Sequence, residues 1–134
     1  METTTHTTVN PWTWQDAFAF SQAVVVPAGE RTVLLAGQGP VDADGAVLHA
    51  GDMAGQIGVA MDNVETVLAA AGMSLADVVR MTLYTTDIDR FFEAYGAYAG
   101  RLAEAGVQPP ASLIGVARLA LPGMDVEIEA TASR

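Results

Sequence analysis

The sequence predicts an α+β sandwich in which two helices cover one face of a β-sheet. Two observations carry that reading. Strand-forming runs crowd both ends of the chain, and two segments with apolar residues at helical spacing are separated by one alternating strand. The resulting order, βββ-α-β-α-ββ, lacks the regular βα alternation of a parallel sheet and suits helices gathered on one face. The 134 residues suffice for one core and not for two. The other sheet face then needs a cover, and in so short a chain a second copy is the natural one.

The elements follow in order. Residues 1–13 are threonine-rich and unpatterned, and read as a mobile tail before a single domain over 14–134. Trp12 and Trp14 close the tail, pinning it to the domain or a neighbouring subunit, with a pocket lid as the alternative. The run Phe18–Val26 is rich in strand formers, and Pro27–Glu30 supplies a turn. A second strand spans Thr32–Ala36 and ends at Gly37-Gln38-Gly39-Pro40, where two glycines favour irregular backbone. Asp44-Gly45 marks a tight turn before a third short strand, completing a meander.

A helix follows, with Asp52 as its cap and Met53, Ile57, Ala60, Met61, Val64, Val67, Leu68 and Ala71 on its apolar stripe; Gly72 stops it. Val79, Met81 and Leu83 alternate with Arg80, Thr82 and Tyr84, the mark of a half-buried strand. Asp87 or Asp89 caps a second helix over roughly 89–105, whose stripe is Phe91, Phe92, Tyr95, Tyr98 and Leu102, with Phe92 and Tyr98 read as helix packing. Pro109-Pro110 lead into a strand at 112–120. In the last strand Val126, Ile128 and Ala130 face one way, and Glu127, Glu129 and Thr131 the other.

Composition removes several functions. Sixteen acidic residues against six basic ones give a formal charge of −10, a surface that repels phosphate backbones and anionic membranes. Nucleic acid and membrane are therefore not expected partners. The chain has no cysteine, which removes disulfides, thiolate nucleophiles and cysteine metal sites. Its two histidines, His6 and His49, do not form a ligand pattern, so no metal and no cofactor is expected. Phosphate-loop, dinucleotide, zinc-protease and serine-hydrolase motifs are absent from the sequence. No apolar run approaches the roughly 18 residues that span a bilayer, and the N-terminus does not read as a secretory signal. A cytoplasmic protein is the expectation.

Local motifs add a more specific reading. Phe20-Ser21-Gln22-Ala23 resembles "YSQA", and Gly37-Gln38 with Pro40 resembles "SGQxP". Asn63-Val64 with Ala70-Ala71-Gly72, Asp77-Val78-Val79 through Thr86-Asp87, Pro109-Pro110-Ala111, Val116-Ala117-Arg118-Leu119 and Val126-Glu127-Ile128-Glu129-Ala130 continue the series in the same order. The set resembles the Rid (YjgF) family, formerly labelled endoribonuclease L-PSP. That resemblance implies a chorismate-mutase-like fold with a mixed sheet, a homotrimer with its sheets turned inward, and small-molecule pockets at subunit interfaces.

The resemblance also shows where this chain departs. Deaminases of the family clamp a substrate carboxylate with an arginine, a bidentate role suited to guanidinium. Ala111 stands at that position, and Arg118 is out of register with it. The family's serine is Ala36, its tyrosine Phe20, and an asparagine of the second helix is Tyr95. The glutamate that orients water or substrate is retained as Glu127. Polar anchors have thus become apolar or aromatic, and deamination of ordinary 2-imino acids is not expected.

The candidate site therefore comprises Glu127 as acid or base, with Phe20, Ala36, Gly37, Gln38, Tyr84, Tyr95, Ala111 and Leu113 binding the ligand. Desolvation by such neighbours would raise the glutamate's pKa towards neutrality. Enamine or imine hydrolysis, enolisation, dehydration and cyclisation of a largely apolar or aromatic intermediate all fit a proton-transferring carboxyl. The alternatives are a non-catalytic ligand-binding or regulatory protein, and Glu127 as no more than the polar face of a terminal strand. The bend at 37–39 is turn geometry first and pocket backbone second. Arg31 and Arg80 read as solvated or paired with nearby acids.

Overall fold

The computed structural model describes residues 6–134. Residues 1–5 of the expected tail lie outside the described residues. The rest of that segment contributes a strand, β1 (Thr7–Val9), paired antiparallel with β2 (Ala23–Val25) in a small separate ribbon. The main sheet holds four strands in the order β3 (Thr32–Leu34), β6 (Val126–Ser133), β4 (Val78–Thr85), β5 (Ala111–Gly115). β6 runs antiparallel to both β3 and β4, whereas β4 and β5 are parallel, so the sheet is mixed. A parallel pair requires a crossover. Here it consists of α2 (Ile88–Glu93) and α3 (Tyr95–Ala105), and α1 (Met53–Ala70) links β3 to β4.

Side-chain alternation explains which face the helices cover. Met81 and Leu83 of β4 and Val126, Ile128, Ala130 and Ala132 of β6 are buried. They pack against Ile57, Met61, Val64 and Leu68 of α1, and against Phe91, Tyr98 and Leu102. Fully burying such side chains contributes roughly 1.5–3 kcal/mol each. The opposite face carries Thr82, Tyr84, Glu127, Glu129 and Thr131, and beside them Leu34 stands 77% exposed.

The helix starts follow their caps. The Asp52 carboxylate accepts the Gly55 N–H at 3.0 Å, and Asp87 accepts that of Arg90 at 3.1 Å. Gly72 and Gly106 adopt positive φ just beyond the ends of α1 and α3. Asp52→Ala removes a cap worth about 1 kcal/mol. Chemical denaturation should show that loss with an unchanged m-value; a change within error would mean the carboxylate stabilises nothing.

The early strands differ from the expectation. Only Ala23–Val25 of the run Phe18–Val26 is extended, because Trp14–Phe18 forms a 3-10 turn that Ala19 closes in the left-handed region (φ 63°). Ser21 and Gln22 are then held by tertiary bonds, Ser21 Oγ to the Gln108 carbonyl and the Gln22 N–H to Asn10 Oδ1. The meander is likewise corrected: β2 pairs with β1 and not with β3, and the expected third strand is a single bridge, Val41 to Val47. Asp42 Oδ1 satisfies the N–H groups of Asp44 and Ala46, leaving a turn with Gly45 at φ 81°.

Two further ranges change. The second helix divides at Ala94, whose backbone (φ −104°, ψ 13°) leaves the helical region and whose N–H is shared among the carbonyls of Arg90, Phe91 and Phe92. The strand expected at 112–120 stops at Gly115, after which the chain must cross the end of β4 to reach β6.

Candidate functional site

At the β5 edge of the sheet lies a cavity of about 230 Å³ walled by Trp14, Phe18, Phe20, Phe92 and Tyr95. Ala111, Leu113, Leu83 and Ser112 complete it. The rings form one contiguous cluster. Trp14 meets Phe20 edge-on at 5.6 Å and Phe18 at 6.3 Å, Phe18 meets Phe92 and Tyr95, and Phe92 stacks on Tyr95 at 5.5 Å. Four expected ligand-binding residues, Phe20, Tyr95, Ala111 and Leu113, therefore share one cavity. Among the described residues that line it, the one acid–base group is the Tyr95 phenol. That hydroxyl donates to the Phe18 carbonyl at 2.6 Å, and burial pushes its pKa up, so it stays a neutral, engaged phenol.

The aromatic wall is held by a polar strap. Gln108 Nε2 donates to Asp16 Oδ1 at 2.6 Å and to the Phe20 carbonyl at 2.9 Å. Gln15, fully buried, donates through Nε2 to Asn10 Oδ1 and accepts through Oε1 from Gln22 Nε2. These bonds, with that of Ser21 Oγ to the Gln108 carbonyl, tie residues 10–22 together and to the chain just before β5. They set where Trp14, Phe18 and Phe20 stand.

The other expected residues gather elsewhere. Glu127 opens β6, cross-strand from Tyr84. A methyl group built on Gly37 would lie 2.5 Å from Glu127 Oε1, so glycine lets that backbone lie against the carboxylate and a side chain there would push the carboxylate aside. Gln38 exchanges both backbone hydrogen bonds with Ile128, at 2.7 and 2.9 Å, and its side chain returns to the Ala36 carbonyl. Gly37 and Tyr84 thus adjoin Glu127, and Ala36 and Gln38 flank Gly37 along the chain. Tyr84 itself donates to Glu129 Oε1 at 2.6 Å, and that bond raises its pKa. Arg31 and Arg80 are both exposed, in keeping with the solvated reading, and each also donates to a neutral group, Arg31 to the Ala71 carbonyl and Arg80 to Ser112 Oγ.

Within one chain the two groups do not meet. Ala111 and Leu113 lie in register with the buried Met81 and Leu83, so they point to the helix-covered face. Glu127 points to the uncovered face and is separated from β5 by β4, two strand spacings or roughly 10 Å across the sheet.

Phe18 was not among the expected ligand residues, and Phe92 was assigned to helix packing although it is 46% exposed and faces the cavity. Their signal in the sequence was aromatic density around 12–20 and 91–95. What separates wall from core is which rings remain partly exposed, and periodicity alone does not reveal that.

Comparison with known proteins places this geometry among relatives. Residues 14–134 match the family described as Endoribonuclease L-PSP. Protein DfrA of Myxococcus xanthus is 39% identical, over 84% of this chain and 83% of that protein. The 2-iminobutanoate/2-iminopropanoate deaminase of Salmonella typhimurium is 36% identical, over 76% and 79%. Among solved structures, YyfB of the conserved Rid family from Yersinia pestis, a protein of unknown function, superposes with a TM-score of 0.87 at 35% identity, covering 96% of this chain and 98% of that one. TdcF of Escherichia coli, solved with bound serine, gives 0.71 at 31% identity, covering 86% and 87%.

Proposed function

The chain belongs to the endoribonuclease L-PSP family, which includes the Rid proteins, and from that premise we propose that it assembles as a homotrimer. Each small-molecule site is composite, with the aromatic cavity of one chain completed by the Glu127 edge of the next. The observation that carries this reading is the separation of the two groups. Among the described residues, one chain offers an aromatic cavity whose one titratable lining group is an engaged phenol, and it carries Glu127 on the opposite face of the sheet, beyond β4. Each half lacks what the other has. The uncovered sheet face, with Leu34 exposed among polar residues, supplies the surface for association.

In this reading Glu127 takes a proton from water or from a substrate carbon and returns it to the product or leaving atom. The substrate is a reactive, largely apolar or aromatic intermediate, and imine or enamine hydrolysis, enolisation, dehydration or cyclisation is the reaction class. Deamination of 2-imino acids, named for the Salmonella relative, does not suit the cavity. At Ala111 a charge-assisted contact of about 1.5–3 kcal/mol to a carboxylate is missing. Ribonuclease action does not suit the −10 charge either.

Thermal shift against a panel of keto acids, aromatic acids, cyclic imines and lactones tests the reading without a guess at the reaction. Neutral or aromatic compounds are expected to raise Tm, and Glu127→Gln to alter that response. Stabilisation by small 2-keto acids alone would contradict it.

A further inference from the structure

We propose that Asn10 is the positioning residue that sets the specificity of the cavity. Through one amide oxygen it holds the start of the turn that carries the rings of Trp14, Phe18 and Phe20, and so decides whether an aromatic ligand is received. The inference rests on the reading of that cavity as the ligand site and names what gives it its preference. Asn10 lies before Trp14, where the family match begins, so the selector stands outside the matched span.

The turn does not fix its own start. Trp14–Phe18 is a single 3-10 turn of five residues, and Thr13 before it makes no side-chain capping bond. The turn closes at Ala19 with φ 63°, a conformation uncommon for a residue with a side chain. Trp14 is 60% exposed, and the rings it meets edge-on, Phe18 and Phe20, belong to the same segment. Tyr95 holds the far end of the turn through the Phe18 carbonyl, and Gln108 holds Asp16 and the Phe20 carbonyl. The Trp14 end depends on Gln15, and Gln15 depends on Asn10.

Asn10 directly follows β1, whose Val9 pairs with Ala23 of β2, so the ribbon fixes its place. Its Oδ1 accepts the Gln22 N–H at 2.7 Å and Gln15 Nε2 at 3.2 Å, one oxygen serving two donors. Gln22 Nε2 in turn donates to Gln15 Oε1 at 3.1 Å, which closes a ring of three side chains. Asn10 thereby joins the two ends of the segment that carries the three rings. Gln15 is fully buried, and without Asn10 its amide keeps only a long contact, 3.5 Å to Asp16 Oδ1, on its donor side. A buried donor left short of its acceptor draws the backbone towards water, and Trp14, the preceding residue, moves with it.

Two uncharged probes test the assignment, benzyl alcohol and butan-1-ol, the second short enough to rest on Leu83, Ala111 and Leu113. Ligand-observed NMR gives each Kd for wild type, Asn10→Ala and Asn10→Asp. Fluorescence anisotropy of Trp14 in a Trp12→Phe background follows the wall, the chain having two tryptophans. Asn10→Ala should weaken benzyl alcohol about 10-fold and butan-1-ol less than about 2-fold, because fewer chains hold the ring-receiving arrangement. Trp14 should become more mobile in the same variant. Asn10→Asp keeps an acceptor and should restore most of the affinity. Equal weakening of both alcohols by Asn10→Ala would mark a general structural loss, and unchanged benzyl alcohol binding would mean that the wall stands without Asn10. Either result overturns the assignment and leaves the cavity as the ligand site, as does Asn10→Asp binding no better than Asn10→Ala. If wild type does not bind benzyl alcohol, the assignment and the ligand-binding role of the cavity fall together.

Discussion

Replacing Glu127 by glutamine is expected to lower turnover of the substrate about 10²- to 10⁴-fold, the usual contribution of a positioned acid–base group. The amide has nearly the same shape, so the close approach of Gly37 and the β6 pairing with Tyr84 should survive. What it lacks is a site for the proton. The loss should therefore fall on kcat, with KM, Tm and assembly little changed. Steady-state kinetics on whichever compound the thermal-shift panel identifies, beside the melting curve of the same sample, separates the cases. A folded Glu127→Gln protein working at the wild-type rate would remove Glu127 from the chemistry, and would favour the alternative of a protein that only binds its ligand.

The largest expected effect on stability belongs to Gln56→Leu. Gln56 is fully buried on α1, a position where helical spacing alone suggests an apolar residue. Its Nε2 donates to the carbonyls of Leu48 and Gly123, at 3.2 and 2.7 Å, and its Oε1 accepts the Asp125 N–H at 2.8 Å. Leucine fills similar space and takes the partner from the Leu48 and Gly123 carbonyls and the Asp125 N–H, all part-buried hydrogen bonds, at a cost of up to about 1–3 kcal/mol each. These losses share one neighbourhood and are not additive, so a net destabilisation of about 3 kcal/mol is expected, a fall in Tm of roughly 10 °C. Calorimetry checks it, and a fall of only a degree or two would mean that water replaces the amide. The site should feel the change as well. Asp125, which also receives Thr86 Oγ1 at 2.6 Å and pairs with Arg90, stands two residues before Glu127 and fixes how β6 begins.

These two residues illustrate what the sequence discloses. Glu127 is legible because β6 alternates cleanly and its motif lies at the end of an ordered series. Likewise α1 and β4 are legible because apolar spacing and the Asp52 cap agree with their tertiary surroundings. Gln56 and Gln15 are not legible, because a glutamine announces nothing until its partners are in place, Leu48, Gly123 and Asp125 for the one and Asn10 and Gln22 for the other. The same cause misdirects the reading of Phe18–Val26. Strand propensity there is outweighed by the bonds of Ser21 to Gln108 and of Gln22 to Asn10, and by the left-handed turn at Ala19.

The sequence names candidate site residues but not their geometry. Phe20, Tyr95, Ala111 and Leu113 on one side, and Ala36, Gly37, Gln38, Tyr84 and Glu127 on the other, are drawn together by motif order alone. Only the sheet order β3-β6-β4-β5 reveals that one chain keeps them apart. That separation turns a question about residues into one about assembly.

The composite site is tested most directly by covalent capture, which the absence of native cysteine makes clean. Ala111→Cys and Glu127→Cys are introduced into the same chain and treated with a short bis-maleimide at a concentration where sedimentation reports the assembled mass. If each cavity is completed by its neighbour, position 111 of one chain is joined to position 127 of the next, and a denaturing gel shows a ladder ending at a closed trimer. Quantitative labelling of both thiols with only monomer on the gel would contradict the composite site.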